Sequence, residues 1–369
     1  MKKLLFGAYS LDIGGIEKAL VILVNKLQEK GYDITLVLEK RQGIFLNEIN
    51  PKIKIIEYAP SNSKNKIQRK IINLIKRIKF TLKYKNKYDF SASFATYSLP
   101  ASFVARTASK NCYLWGHADY LTLFDGNTEK MKEFFIERNY DKFKKIIFVS
   151  KEGKESFIKV FPEMKEKTMV CNNLIDADKI LELSKEKIPE EDLLKINKLE
   201  NTQKETTTFI NVGRHQEKQK KLSRLIEAAT MLKKDNMNFK IIFIGDGPET
   251  EEYKKQVRNN QLENNIIFLG KKQNPYPYFK IADCVVLTSD YEGYPVVFLE
   301  SFILEKPIIT TKVSDYQEVE NKYGFVTEKD TKDIYEKMKN FILNGFEIKE
   351  KFDYKKYNEE ILKKIEDLI

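Results

Sequence analysis

The densest run of residues able to do chemistry is Asp290-Tyr291-Glu292-Gly293-Tyr294-Pro295-Val296-Val297-Phe298-Leu299-Glu300. It follows an apolar run at 284–288 that reads as a strand. Gly293 lets the backbone turn, and Pro295 suits the first position of a helix. The start of that helix would offer unpaired N–H groups to an anion. Glu292 lies just outside the helix and Glu300 lies within it. Carboxylates only accept hydrogen bonds, so two of them suit a ligand rich in hydroxyls. Both could instead be ordinary surface glutamates. Glu300, however, stands among Val296, Val297, Leu299 and Phe302, where an acid is expected to be buried and partnered.

Three further groups of residues sit at the ends of apolar runs. Asn211-Val212-Gly213-Arg214 closes one, and Lys218-Gln219-Lys220-Lys221 follows shortly after. Arg presents a planar fork of donors to a phosphate and Lys a point charge, although a solvated basic turn has the same composition. Asp12-Ile13-Gly14-Gly15-Ile16-Glu17-Lys18 joins a first strand to a helix, where a glycine pair permits close backbone approach to an anion or simply a tight turn. Its spacing fits neither a dinucleotide fingerprint nor a P-loop. His117, in Trp115-Gly116-His117-Ala118-Asp119, follows another apolar run. It is either a packed structural histidine or a functional group at a strand's carboxyl end; His215 reads as a neighbour of Arg214 only.

Elements must position these groups, and the chain supplies them by alternation. Strand-like runs at 3–8, 34–38, 53–57, 90–94, 112–115 and 146–150 are followed by a second series at 207–212, 240–245, 266–269, 284–288 and 307–311. Most are continuously apolar, as strands covered on both faces are, and amphipathic segments such as 17–30, 222–234 and 295–305 separate them. Alternation of this kind predicts an α/β protein with parallel, doubly wound sheets, whose ligands bind at the carboxyl ends of the strands. The 369 residues suffice for two domains, and the polar stretch 178–204, part of it helical in pattern, reads as their connection. The expected domains are 1–177 and 178–351, with a final helix within 352–369 crossing back to the first.

Composition narrows the rest. No apolar run approaches the ~18 residues of a membrane-spanning helix, and Asp12 interrupts an N-terminal run that imitates a signal peptide. Cys112, Cys171 and Cys284 are scattered, which suggests a reduced, cytoplasmic setting. With only two histidines, a multi-histidine metal site is not expected. The net charge is +11, and ten basic residues between 64 and 87, uninterrupted by any acid, account for nearly all of it. In the same segment Ile67, Ile71, Leu74, Ile75, Ile78 and Leu82 recur at helical spacing. That stripe either packs onto the domain, leaving a solvated basic face, or belongs to a surface attracted to anionic lipid. A nucleic-acid-binding role for the basic segment lacks any recognisable motif and leaves the second-half residues unexplained.

In this order, Gly213-Arg214 with Lys220, Gly245-Asp246-Gly247-Pro248, and Glu292-Gly293 through Glu300 resemble the retaining nucleotide-sugar glycosyltransferases of family 4. The resemblance covers most of 209–319 and, more loosely, Gly14-Gly15 and the His117 segment. It implies a GT-B fold, in which two Rossmann-like doubly wound domains face a central cleft. It implies a nucleoside-diphosphate-sugar donor, UDP-sugar first among them, and transfer of a hexose-type sugar to a glycan or lipid-linked acceptor in cell-surface polysaccharide biosynthesis; no cofactor or metal is expected, since no Asp-x-Asp motif stands with the donor residues to hold a metal–diphosphate complex. Arg214 and Lys220 are then expected on the donor diphosphate and Glu300 on the ribose. Glu292 would hold the sugar, supported by the backbone of Gly293, Tyr294, Pro295 and Val296. His117 would stand near the reacting centre and Gly15 beside the diphosphate. The chain departs from the pattern at Lys221 and at Ser314-Asp315, where many relatives have glycines. Gly245-Asp246-Gly247-Pro248 reads as a structural turn. A sugar-nucleotide 2-epimerase of the same architecture is the nearest alternative. An enzyme of this class would work in the cytoplasm, at the inner face of the membrane if 64–87 binds lipid.

Overall fold

A computed structural model describes residues 1–12, 14–198 and 206–369. Ile13 of the glycine-pair motif and residues 199–204 of the polar stretch lie outside the described residues. The chain forms two units, Met1–Ile175 with Lys355–Ile369, and Asp176–Tyr354.

Apolar runs covered by helices on both faces become parallel strands. The first unit holds β1 (Lys3–Ala8), β2 (Asp33–Leu38), β3 (Lys54–Glu57), β4 (Phe90–Ser93), β5 (Cys112–Gly116), β6 (Lys145–Phe148) and β7 (Thr168–Val170) in one sheet ordered β3-β2-β1-β4-β5-β6-β7. The second holds β8 (Thr207–Val212), β9 (Phe239–Ile244), β10 (Ile266–Phe268), β11 (Cys284–Leu287), β12 (Ile308–Thr311) and β13 (Gly324–Thr327), ordered β10-β9-β8-β11-β12-β13. Every pairing is parallel. In each sheet the order reverses beside its first strand, between β1 and β4 and between β8 and β11. At that point the flanking loops diverge and leave a crevice at the carboxyl ends.

The second unit's core packs Phe209, Phe243 and Val286 of the sheet against Leu225 and Leu232, with Met338 and Phe341 of the helix Thr331–Asn344. Burying an aliphatic or aromatic side chain of this kind stabilises by roughly 1.5–3 kcal/mol. In the first unit an aromatic cluster of Phe135, Phe148, Phe157 and Phe161 covers one side of the sheet. Residues 355–369 complete this unit: Ile361 and Ile365 are buried, Lys30 pairs with Glu366 at 2.8 Å, and Asn111 Nδ2 donates to Leu368 O at 2.8 Å.

The polar stretch 178–204 carries the helices Ala177–Leu183 and Glu190–Asn197, both within the second unit. Its Asp192 is buried, pairs with Lys272 at 2.5 Å and accepts from Tyr278 Oη. The apolar stripe of 64–87 does not pack onto its domain. The helix Lys66–Tyr84 is held by its opposite face, where Phe80 is buried against Tyr58, Tyr84 and Phe103. Its stripe turns outward, with Ile67 71% and Leu82 77% exposed. The packing partners that decide this, Tyr58 and Phe103, are distant in sequence.

Candidate functional site

The residues singled out in the second half converge at the carboxyl ends of β8 and β11. Asn211 Nδ2 donates to Val286 O at 2.7 Å, locking the two strands together just below the crevice. After β8 the chain passes Gly213 and an exposed Arg214, whose side chain has no hydrogen-bond or ion-pair partner among the described residues. It then forms the short helix Glu217–Lys220. Lys221 turns it into the helix Leu222–Lys234 from a left-handed conformation, φ 49° and ψ 47°. A glycine, lacking a Cβ, would hold that conformation free of the usual penalty. Asp315 repeats the case, with φ 56° at the second departure from the family pattern.

The loop after β11 is tied to this turn from several sides. Thr288 Oγ1 donates to Lys220 O at 2.9 Å, and Asp290 N to Gln219 O at 2.8 Å. Arg224 pairs with Asp290 at 2.6 Å, and Ser314 Oγ donates to Glu292 O at 2.7 Å. Held in this way, Glu292 is buried and receives Lys220 Nζ at 2.6 Å, Ser289 Oγ at 2.6 Å and Gln219 Nε2 at 3.2 Å. The proposed phosphate cation and sugar carboxylate are therefore paired with each other.

Pro295 immediately precedes the helix Val296–Ile303 rather than opening it, a shift of one residue. The helix start still follows Gly293, and Tyr294 is anchored by its hydroxyl donating to Glu318 at 2.8 Å. Glu300 is buried and accepts from Tyr276 Oη at 2.9 Å. Gly245 (φ 141°) and Gly247 lie against the backbone of β8's outgoing loop. A Cβ at Gly245 would fall 1.8 Å from Gly213 O, and one at Gly247 2.0 Å from His215 O. The turn is structural, and what it shapes is the segment that presents Arg214. His215 is fully buried among Phe243, Tyr253 and Phe268, and burial holds its imidazole below the ordinary range.

In the first unit, His117 follows β5 with its ring 4.6 Å from that of Phe94. Its Nε2 is buried without a hydrogen-bond partner among the described residues. Burial pushes its pKa down to about 3, against a weaker opposing hydrogen bond with the Phe94 backbone. His117 is thus a neutral imidazole at neutral pH. Gly15 begins the helix Gly15–Glu29, and a Cβ there would meet no atom within 4 Å. The start of this helix already has a carboxylate nearby, since Glu17 folds back toward Gly14 while accepting from Tyr97 Oη at 2.8 Å. An anionic ligand at those N–H groups would have to move it.

Among the described residues, no three His, Cys, Asp or Glu side chains gather as a metal set. The one Asp-x-Asp spacing, Asp176-Ala177-Asp178, is used structurally: Asp176 caps the helix Ala177–Leu183 and Asp178 accepts from Tyr354 Oη at 3.3 Å. Sequence reasoning missed Gln219, Ser289, Ser314 and Tyr276. They are polar residues in or beside the motifs, and nothing in their local spacing announces which carboxylate they serve.

Comparison with known proteins bears on this geometry. Residues 194–359, close to the span of the second unit, match the family described as glycosyl transferases group 1. An uncharacterized glycosyltransferase of Methanocaldococcus jannaschii is 31% identical over 166 residues, covering 45% of this chain and 39% of its own length. The Campylobacter jejuni N-acetylgalactosamine-N,N'-diacetylbacillosaminyl-diphospho-undecaprenol 4-alpha-N-acetylgalactosaminyltransferase is 23% identical, covering 84% of this chain and 81% of its own length. Among solved structures, Anabaena HepE in complex with UDP and glucose superposes with a TM-score of 0.76 at 18% identity, covering 99% of this chain and all of that one. The fold is GT-B.

Proposed function

We propose that this chain is a GT-B glycosyltransferase that moves a hexose-type sugar, with retention, from a nucleoside-diphosphate sugar to a hydroxyl of a glycan or lipid-linked acceptor in cell-surface glycan synthesis. The observation that carries the reading is the cluster at the carboxyl ends of β8 and β11. There Arg214 is unpaired, Lys220 and Glu292 are paired, and Glu300 is buried behind the start of the helix Val296–Ile303. The UDP bound to HepE supports a UDP-sugar as donor.

In this reading, the acceptor oxygen attacks the anomeric carbon on the face from which the diphosphate departs. The carbon–oxygen bond to the diphosphate breaks as the new glycosidic bond forms, and the acceptor's proton passes to the departing diphosphate oxygen. Arg214, Lys220 and the helix N-terminus stabilise the negative charge that develops there. Glu300 accepts from the ribose, and Glu292 accepts from hydroxyls of the transferred sugar. The backbone of Gly293 to Val296 supplies N–H donors, Pro295 excepted. His117, neutral and with a free Nε2 acceptor, suits a hydroxyl of the sugar, and the open space at Gly15 suits close backbone approach. No step calls for a metal, so transfer persists in a chelator; loss on chelation with recovery on adding a divalent ion would overturn this.

Glu300→Ala tests the assignment. Donor-dependent transfer should fall sharply while the melting temperature and circular dichroism show a folded protein; unchanged kinetics removes it. Nuclear magnetic resonance of the product distinguishes retention from inversion, and a new glycosidic bond from an epimerised sugar nucleotide.

The outward stripe of the helix Lys66–Tyr84 supports a peripheral membrane seat. No described helix is long and apolar enough to cross a bilayer. An apolar face flanked by Lys70, Arg77, Lys79 and Lys83 suits the interface of an anionic bilayer, with each basic residue contributing ~1 kcal/mol near the surface. Flotation with phosphatidylglycerol vesicles, but not phosphatidylcholine ones, is expected; no binding at physiological salt ends the idea.

A further inference from the structure

Glu300 stands at the ribose end of the proposed donor site, and a side chain from another helix holds its carboxylate. Tyr276 opens the helix Tyr276–Ile281, which joins β10 to β11. Its hydroxyl donates to Glu300 Oε1 at 2.9 Å, with the tyrosine 3% and the glutamate 9% exposed. Tyr276 is itself fixed from behind. Its backbone N–H donates to Asn274 Oδ1 at 3.1 Å, and Asn274 Nδ2 donates to Leu183 O at 2.8 Å. Leu183 ends the helix Ala177–Leu183, which packs on both Tyr276–Ile281 and Val296–Ile303. The two members of the pair therefore share one support, and all of it lies within the second unit.

A carboxylate accepts up to about four hydrogen bonds, so one from Tyr276 orients the group without exhausting it. The terminal torsion of a glutamate is broad and roughly two-fold, and nothing within the side chain selects its rotation. A buried hydroxyl donor does select it. Glu300 is then ordered before any ligand arrives, and a hydroxyl that meets it need not supply that order. Tyr278, two residues along the same helix, provides the contrast. Positions i and i+2 do not share a helix face, and its hydroxyl donates to Asp192 instead.

We propose that Tyr276 determines the donor site's selectivity for ribose: by fixing Glu300 it makes binding depend on a ribose hydroxyl, so that ribonucleotides are preferred to deoxyribonucleotides. It is a positioning residue, acting through Glu300. The inference rests on the donor reading above and narrows the donor to a ribonucleoside diphosphate. The sign of the effect separates positioning from simple satisfaction of a buried charge. If Tyr276 only satisfied Glu300, its loss would leave a barer carboxylate, and the ribose hydroxyl would matter more. If it positions Glu300, its loss makes the hydroxyl matter less, because the ligand must then order the carboxylate itself.

Calorimetry on the full chain with UDP, 2′-deoxyuridine diphosphate and 3′-deoxyuridine diphosphate tests it. Wild type should bind at least one deoxy analogue about tenfold or more weakly than UDP, the usual scale for a charge-assisted hydrogen bond. In Tyr276→Phe, UDP should weaken about threefold or more while that analogue stays within about twofold, so the discrimination narrows. Tyr278→Phe removes the same hydroxyl from the same helix and should keep the wild-type discrimination. In a Glu300→Ala background, adding Tyr276→Phe should change UDP affinity by less than about twofold, because the residue acts only through Glu300. Discrimination is a ratio within one protein, so a merely destabilised variant leaves it unmoved. The inference alone is overturned if wild type discriminates and Tyr276→Phe keeps or widens the ratio, or if Tyr278→Phe narrows it as much. A further loss of UDP affinity in the Glu300→Ala background overturns it too. If wild type binds UDP and both analogues equally, the ribose assignment of Glu300 falls and the inference with it. Failure of wild type to bind UDP sinks the UDP-sugar reading as well.

Discussion

Glu292→Gln separates two roles that the ion pair merges. Lys220 Nζ lies 2.6 Å from Glu292 Oε1, and side-chain exposures of 18% and 9% leave little water around them. A diphosphate oxygen bonded to the far side of the same ammonium would stand about 5 Å from the carboxylate, given a usual charge-assisted contact of about 2.8 Å. Like charges at that distance repel by about 1 kcal/mol in water and about 3 kcal/mol at an effective dielectric of 20. Gln keeps the shape and a carbonyl for Ser289 and Lys220 but removes the charge. UDP should therefore bind the variant at least about fivefold more tightly, taking only the smaller repulsion. A UDP-sugar should not share the gain, because the sugar hydroxyls lose their anionic acceptor. Transfer should fall about 100-fold if that contact strengthens in the transition state. Calorimetry with UDP and with the UDP-sugar, beside initial rates, reads both effects. Equal or weaker UDP binding in a variant that melts like wild type refutes the placement of Lys220 and Glu292 at the diphosphate.

Lys221→Gly should stabilise the protein by about 0.5–1 kcal/mol, since glycine relieves a left-handed lysine at modest entropic cost; a urea midpoint unchanged or lowered would count against it. Gly245→Ala should destabilise by about 1–3 kcal/mol, because its Cβ strikes Gly213 O and its φ of 141° suits glycine. The same variant should weaken UDP binding through the displaced Arg214 segment, read by calorimetry below its melting temperature. The chain's two histidines, His117 and His215, both have folded-state pKa values below the ordinary 6.5, His117 at about 3. The unfolded chain then binds more protons, so stability is complete above pH 6.5 and declines as pH falls toward 3. Urea midpoints between pH 7 and pH 4.5, above most carboxylate titration, should fall with pH and fall less in His117→Asn. Initial rates over that range should show no inflection from His117, and an inflection removed by His117→Asn would contradict its neutral assignment.

Much of the architecture is legible one segment at a time. The runs at 3–8 and 207–212 become β1 and β8 with the expected bounds, because a strand covered on both faces must be apolar along its whole length. The edge strands Thr168–Val170 and Gly324–Thr327 escape that test, being short and only partly covered. The positions of Lys221 and Asp315 were visible as departures from a pattern, while the left-handed backbone that gives them meaning was not.

Amino-acid type and spacing by themselves determined the alternation of strands and helices, the loops at the strand ends, the burial of Glu300 and the address of the positive charge. Those properties depend on neighbours within a turn or two of chain. Only the tertiary structure decided that Lys220 closes on Glu292, that Tyr276 serves Glu300, and that the apolar stripe of the helix Lys66–Tyr84 faces outward. Each of these joins segments brought together by strand order and by packing partners far away in the chain. Hydrophobic spacing says that a helix has an apolar face; it does not say what, if anything, will cover it.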